Sequence, residues 1–100
     1  MNQKDTTRAE FLLYREKIIR LSEKSFRKEK IYLKELRGSE YELDHRLSIY
    51  DGYQNEVPIE IMSHPCNLKI IPKTENRKKS KRSEITFQEL INEIADYEED

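Results

Sequence analysis

Along the first third of the chain, Phe11, Leu12, Tyr14, Ile18, Ile19 and Leu21 recur at helical spacing. This pattern predicts an amphipathic helix over 8–21. Thr7-Arg8-Ala9-Glu10 ahead of it has the spacing of a capping box. Ser22 reads as the cap of a second helix over 23–36, with Phe26 as its large apolar residue before Ile31. Arg37-Gly38-Ser39 is a stop. Residues 40–50 alternate polar and apolar from Tyr41 and Leu43 onward, which suits a short strand, and Asp51-Gly52 reads as a turn. Pro58 is placed to open one helical turn through Met62, and Pro65 ends it. Leu68, Ile70 and Ile71 predict a second short strand before Pro72, and a third helix is expected from Thr74 through Asn76 to Lys79. Thr86-Phe87-Gln88-Glu89 is another capping box, opening a helix with Leu90, Ile91 and Ile94 inward.

The fold class is therefore α+β: helices at both ends and two short strands between them. One hundred residues make one domain. Such a chain buries roughly two-thirds of its unfolded surface, so its stability is modest without an ion or partner. Mean hydropathy is −0.99, and no apolar run approaches the ~18 residues of a membrane span. With no short apolar block behind a basic start, the expectation is a cytoplasmic protein with no membrane partner. Cys66 is the single cysteine, which excludes an internal disulfide and a structural zinc held by paired cysteines.

The net charge of −1 hides a segregation. Residues 69–82 carry Lys69, Lys73, Arg77, Lys78, Lys79, Lys81 and Arg82 against Glu75 alone, whereas residues 83–100 carry seven acids and no base. A block this basic attracts a polyanion locally, over a Debye length of about 8–10 Å. A solvated face is the ordinary alternative for a lysine run. The acidic end either solubilises the chain or covers the basic block.

Three polar features stand out within 41–82: Asp44-His45 at the end of the first strand, Asn67 ahead of the second, and Asn76 inside the basic block. Consecutive strand residues face opposite sides, so a site shared by Asp44 and His45 requires the strand to end or bulge there. The run Leu43-Asp44-His45-Arg46-Leu47-Ser48-Ile49, then Asp51-Gly52, Asn67-Leu68 and Asn76-Arg77-Lys78-Lys79, resembles the HNH endonucleases. It looks most like the small zinc-free versions common in bacteriophages, whose helical lead-in is similar to Tyr14-Arg15-Glu16-Lys17 through Leu21. The likeness spans residues 11–94.

The resemblance implies a ββα-metal core over 41–82, a helical lead-in over 1–40, and a C-terminal helix with acidic tail over 83–100. It implies a DNA endonuclease, in the host cytoplasm if phage-encoded, that nicks or cleaves duplex DNA to leave 5′-phosphate and 3′-hydroxyl ends. Asp44 and Asn76 would hold Mg²⁺ or Mn²⁺ through oxygen atoms, His45 would act as general base, and Asn67 would orient His45 through a backbone or ring hydrogen bond. Lys73, Arg77, Lys78, Lys79, Lys81 and Arg82 would contact DNA phosphates. Specificity would be low, or would come from a homodimer or a partner protein.

Other readings of the same residues stay open. His45 also suits a structural histidine bonded to Asp44 or a carbonyl, and the whole chain suits an inactive DNA-binding or regulatory module. A helical adaptor with an acidic protein-binding end is a third reading. His64 and Asn55 read as turn residues, Cys66 as a small buried or half-buried side chain, and Tyr50 and Tyr53 as packing. Two features depart from the wider family. Without paired cysteines, the stripe Phe11, Tyr14, Ile18 must supply the core. Asn67 follows Leu47 by twenty positions, a long connection expected to fold at Pro58–Met62 and pack back on the strands.

Overall fold

Five side chains of the N-terminal segment, Phe11, Tyr14, Ile18, Ser22 and Phe26, fall three or four positions apart and so share one face of a helix. In the computed structural model, which describes residues 8–29, 40–75 and 81–99, that face is the spine of a single helix α1, Arg8–Glu29. Ser22 is not a cap. It lies wholly buried in the middle of α1 between Ile18 and Phe26, so the division into two helices is corrected up to residue 29. The rest of the expected 23–36 helix, like Thr7, lies outside the described residues. Leu12 and Leu13 stand exposed beside the stripe.

Strands β1, Tyr41–His45, and β2, Leu68–Pro72, pair antiparallel from Tyr41 opposite Pro72 to His45 opposite Leu68. The expected strand over 40–50 is thus cut to five residues. It stops because Ser48 caps a helix: its Oγ accepts from Asp51 N at 3.1 Å, opening α2, Ile49–Gln54. Asp51-Gly52 is accordingly not a turn but part of α2. Glycine is required there by space, since a Cβ on Gly52 would lie 2.5 Å from Met62 Sδ and 3.0 Å from the Tyr14 hydroxyl.

α2 ends in a Schellman arrangement: Val57 N donates to Gly52 O at 2.9 Å and Glu56 N to Tyr53 O at 3.2 Å. Glu56 occupies the left-handed position, φ 54°, that normally takes glycine. Glu56→Gly is therefore expected to stabilise the protein by about 0.5–1 kcal/mol, read as a raised midpoint in urea unfolding.

The long connection between the strands is structured. After α2 come α3, Ile59–Met62, with Pro58 immediately before it, and a 3-10 turn, Pro65–Asn67, capped by His64 Nδ1 accepting from Cys66 N at 3.1 Å. α3 packs mainly on α1 rather than back on the strands as expected. Tyr14 ties the two regions together by donating its hydroxyl to Val57 O at 2.7 Å. Burial pushes that phenol far above the ordinary tyrosine range, so it remains a donor. Phe11 and Tyr14 each lie 5.2 Å from the Tyr53 ring.

The capping box at Thr86 forms as expected. Glu89 N donates to Thr86 Oγ1 at 3.1 Å and Thr86 N to Glu89 Oε1 at 2.8 Å. The box opens α4, Phe87–Glu99, whose Leu90 is fully buried in the core with Ile18, Leu47, Val57 and Met62. Ile94 packs against that cluster, and Ile91 is half-buried. The overall class is α+β with one two-stranded antiparallel sheet. β2 leads straight into helical residues 73–75, and Asn76–Lys79 of the expected third helix lie outside the described residues. Among the described residues no helix is long and apolar enough to cross a membrane.

Candidate functional site

The end of β1 is where the sequence places its chemistry. β1 stops at His45, and a bend at Arg46-Leu47 follows. That ending satisfies the geometric condition on Asp44 and His45. Both line one open groove of about 280 Å³, whose rim also includes Arg15 and Lys81. Asp44 is nearly buried, and His45 is half-buried.

The His45 ring is held from α1. Ser22 Oγ lies 2.7 Å from His45 Nε2, across 23 positions of sequence. A second groove of about 470 Å³ adjoins it, lined by Glu23, Glu42 and Lys73 among others. Ile19, Leu43 and His45 line both grooves.

Asn67 is wholly buried. Its Oδ1 accepts from Leu47 N at 2.7 Å, and its Nδ2 donates to Leu47 O at 3.3 Å and Met62 O at 2.9 Å. Its carbonyl accepts from Arg46 N at 2.8 Å. These bonds clamp the bend at Arg46 and Leu47 that follows His45, and Asn67 makes them from the 3-10 turn just ahead of β2.

The basic residues divide by environment. Lys81 holds its ammonium 4.5 Å from the centre of the Tyr50 ring, on the rim of the Asp44–His45 groove. Lys73 lies on the second groove. Arg82 lines a third hollow, beside Asp51 and Glu84. Arg77, Lys78 and Lys79 lie outside the described residues.

Arg46 is turned away to a structural task. Its guanidinium grips both carboxylate oxygens of Glu93 at 2.6 and 3.1 Å and donates to Cys66 O at 2.9 Å. The Glu93 carboxyl is held below the usual glutamate range by the hydrogen bond from Arg46, and the guanidinium is raised by the same pair. Glu84, from the acidic block, bridges Lys69 and Arg46. Part of the acidic end thus serves to fasten the strands to the segment leading into α4.

Two of these residues, Ser22 and Arg15, were missed by reading the sequence. Ser22 had a local signal, its place on the Ile18–Phe26 stripe. Arg15 had none, because only the packing of α1 brings it to the groove.

The donor chemistry fits a hard cation in part. Asp44 lines the groove, and its carboxylate is an oxygen donor of the kind Mg²⁺ prefers. Its expected companion, Asn76, lies outside the described residues. Among the described residues no group of three or more His, Cys, Asp or Glu side chains is placed to hold a metal ion. Set against known family models, curated protein sequences and solved structures, the chain matches none.

Proposed function

We propose that the protein is a divalent-metal-dependent DNA endonuclease of the HNH type, hydrolysing phosphodiester bonds at the groove beside His45. The observation that carries this reading is the presence on one groove of a carboxylate, an imidazole and two cationic side chains: Asp44, His45, Arg15 and Lys81. Phosphodiester hydrolysis calls for this combination. A base must take the proton of the attacking water, and positive groups must hold a polyanion against it.

His45 is the base in this reading. Asp44, with Asn76, would hold Mg²⁺ or Mn²⁺. When bound, that ion supplies positive charge to offset the charge developing on the scissile phosphate. Arg15 and Lys81, on the same groove as the base, bind the DNA backbone, and Lys73 adds a cation at the neighbouring groove. Arg77, Lys78, Lys79 and Arg82 add positive charge along the same stretch of chain. Phosphate contacts of this kind set register and carry no sequence information, so specificity falls to a second copy or a partner protein.

Supercoiled plasmid incubated with the protein and Mg²⁺ or Mn²⁺ is expected to convert to nicked circle, and Asp44→Ala to abolish the conversion. Intact plasmid with folded wild-type protein, together with retained DNA binding, would instead favour an inactive DNA-binding module. In the same reading, Arg15→Ala and Lys81→Ala should each lower DNA affinity at low salt. Each should also flatten the log–log salt dependence by about 0.9, the release expected for one phosphate contact. Fluorescence anisotropy at a series of salt concentrations checks this, and unchanged slopes would remove both residues from the interface.

A further inference from the structure

Ser22 is fully buried within α1, between Ile18 and Phe26, and its hydroxyl lies 2.7 Å from Nε2 of His45. A hydroxyl at that place gains nothing in packing over alanine and is the poorer helix former, and burying it costs free energy unless it is bonded. The bond to the imidazole is what the serine supplies.

We propose that Ser22 is a positioning residue for His45. Its oxygen accepts the Nε2–H of the neutral ring, and Nδ1 is thereby the nitrogen that takes a proton. The proposal rests on the reading of His45 as general base. In the reaction, a water proton moves to Nδ1 while the water oxygen forms a bond to phosphorus. The bond from phosphorus to the 3′ oxygen breaks, and that oxygen takes a proton from solvent. Nε2–H stays in place throughout, donating to Ser22 before and after the ring becomes an imidazolium. The serine therefore fixes both the tautomer and the ring plane, as the partner of the second ring nitrogen does in other histidine sites. For its own proton, a serine on a helix has the carbonyl one turn back. α1 then belongs to the active site as well as to the core.

The test reads the ring directly, without DNA or metal. Two-bond ¹⁵N–¹H correlation spectra of the wild-type protein are expected to show His45 in the Nε2–H form. Ser22→Ala, which is smaller and should fold, is expected to give a mixture of tautomers. It should also slow plasmid nicking at least tenfold with DNA affinity unchanged, and Ser22→Thr, which restores a hydroxyl, should recover both properties. A wild-type ring in the Nδ1–H form, or a tautomer indifferent to Ser22→Ala, overturns the proposal. A tautomer that responds to Ser22→Ala in a protein with no nicking activity sinks the nuclease reading and supports the hold of Ser22 on His45.

Discussion

Asn67→Ala is expected to lose about 3–5 kcal/mol of folding stability. The substitution strands three buried backbone groups, namely Leu47 N–H, Leu47 C=O and Met62 C=O, which pair with the Asn67 amide. Each such orphan costs roughly 1–3 kcal/mol, and no solvent reaches a position with 0% exposure to replace the amide. A domain of this length has about 5–15 kcal/mol in all, so the variant should melt some 15–30 °C lower or fail to fold at 37 °C. Asn67→Asp supplies a sharper control. Its carboxyl retains an acceptor for Leu47 N but can donate toward the two carbonyls only when protonated. The folded state thus raises that carboxyl's pKa, and the variant should gain stability relative to wild type as pH falls toward 4. Thermal melts of both variants at pH 4 and pH 7 check the prediction, and a shift of under 1 kcal/mol for Asn67→Ala would show the clamp to be dispensable.

How the chain places this clamp explains what the sequence could show. Elements announced by local chemistry were legible. The reciprocal bonds of Thr86 and Glu89 opened a helix where their spacing said they would. The apolar run at Leu68–Ile71 paired with Tyr41–His45. Features set by distant packing were not legible. Asp51-Gly52 has the composition of a turn, yet Gly52 is needed because Met62 and Tyr14 crowd its Cβ position, and both lie outside any local window. Ser22 has the composition of a cap, yet its place on the buried stripe outweighs that tendency. Asn67 stands just ahead of the second strand, in the 3-10 turn, but its partners at Leu47 and Met62 follow only from the path of the connection through α2 and α3. Arg15 lines the groove for a similar reason, since α1 is docked on α2 through Phe11 and Tyr14 against the Tyr53 ring, far away in sequence.

His45→Ala should reduce plasmid nicking by about 10²–10⁴-fold, the range for loss of a positioned general base. It should leave DNA affinity near the wild-type value, because Arg15 and Lys81 remain on the groove. The substitution also leaves the Ser22 hydroxyl without its imidazole partner in a fully buried place. A stability loss of about 1–3 kcal/mol should therefore accompany the loss of activity. That coupling offers a way to separate the two effects. In the double variant Ser22→Ala with His45→Ala neither partner is stranded, so much of the lost stability should return while nicking stays lost. A double-mutant cycle on stability is expected to give an interaction energy of at least ~1 kcal/mol between the two positions. If the double variant were to regain nicking together with stability, the histidine would be a structural support, and the base would have to be sought elsewhere along the groove.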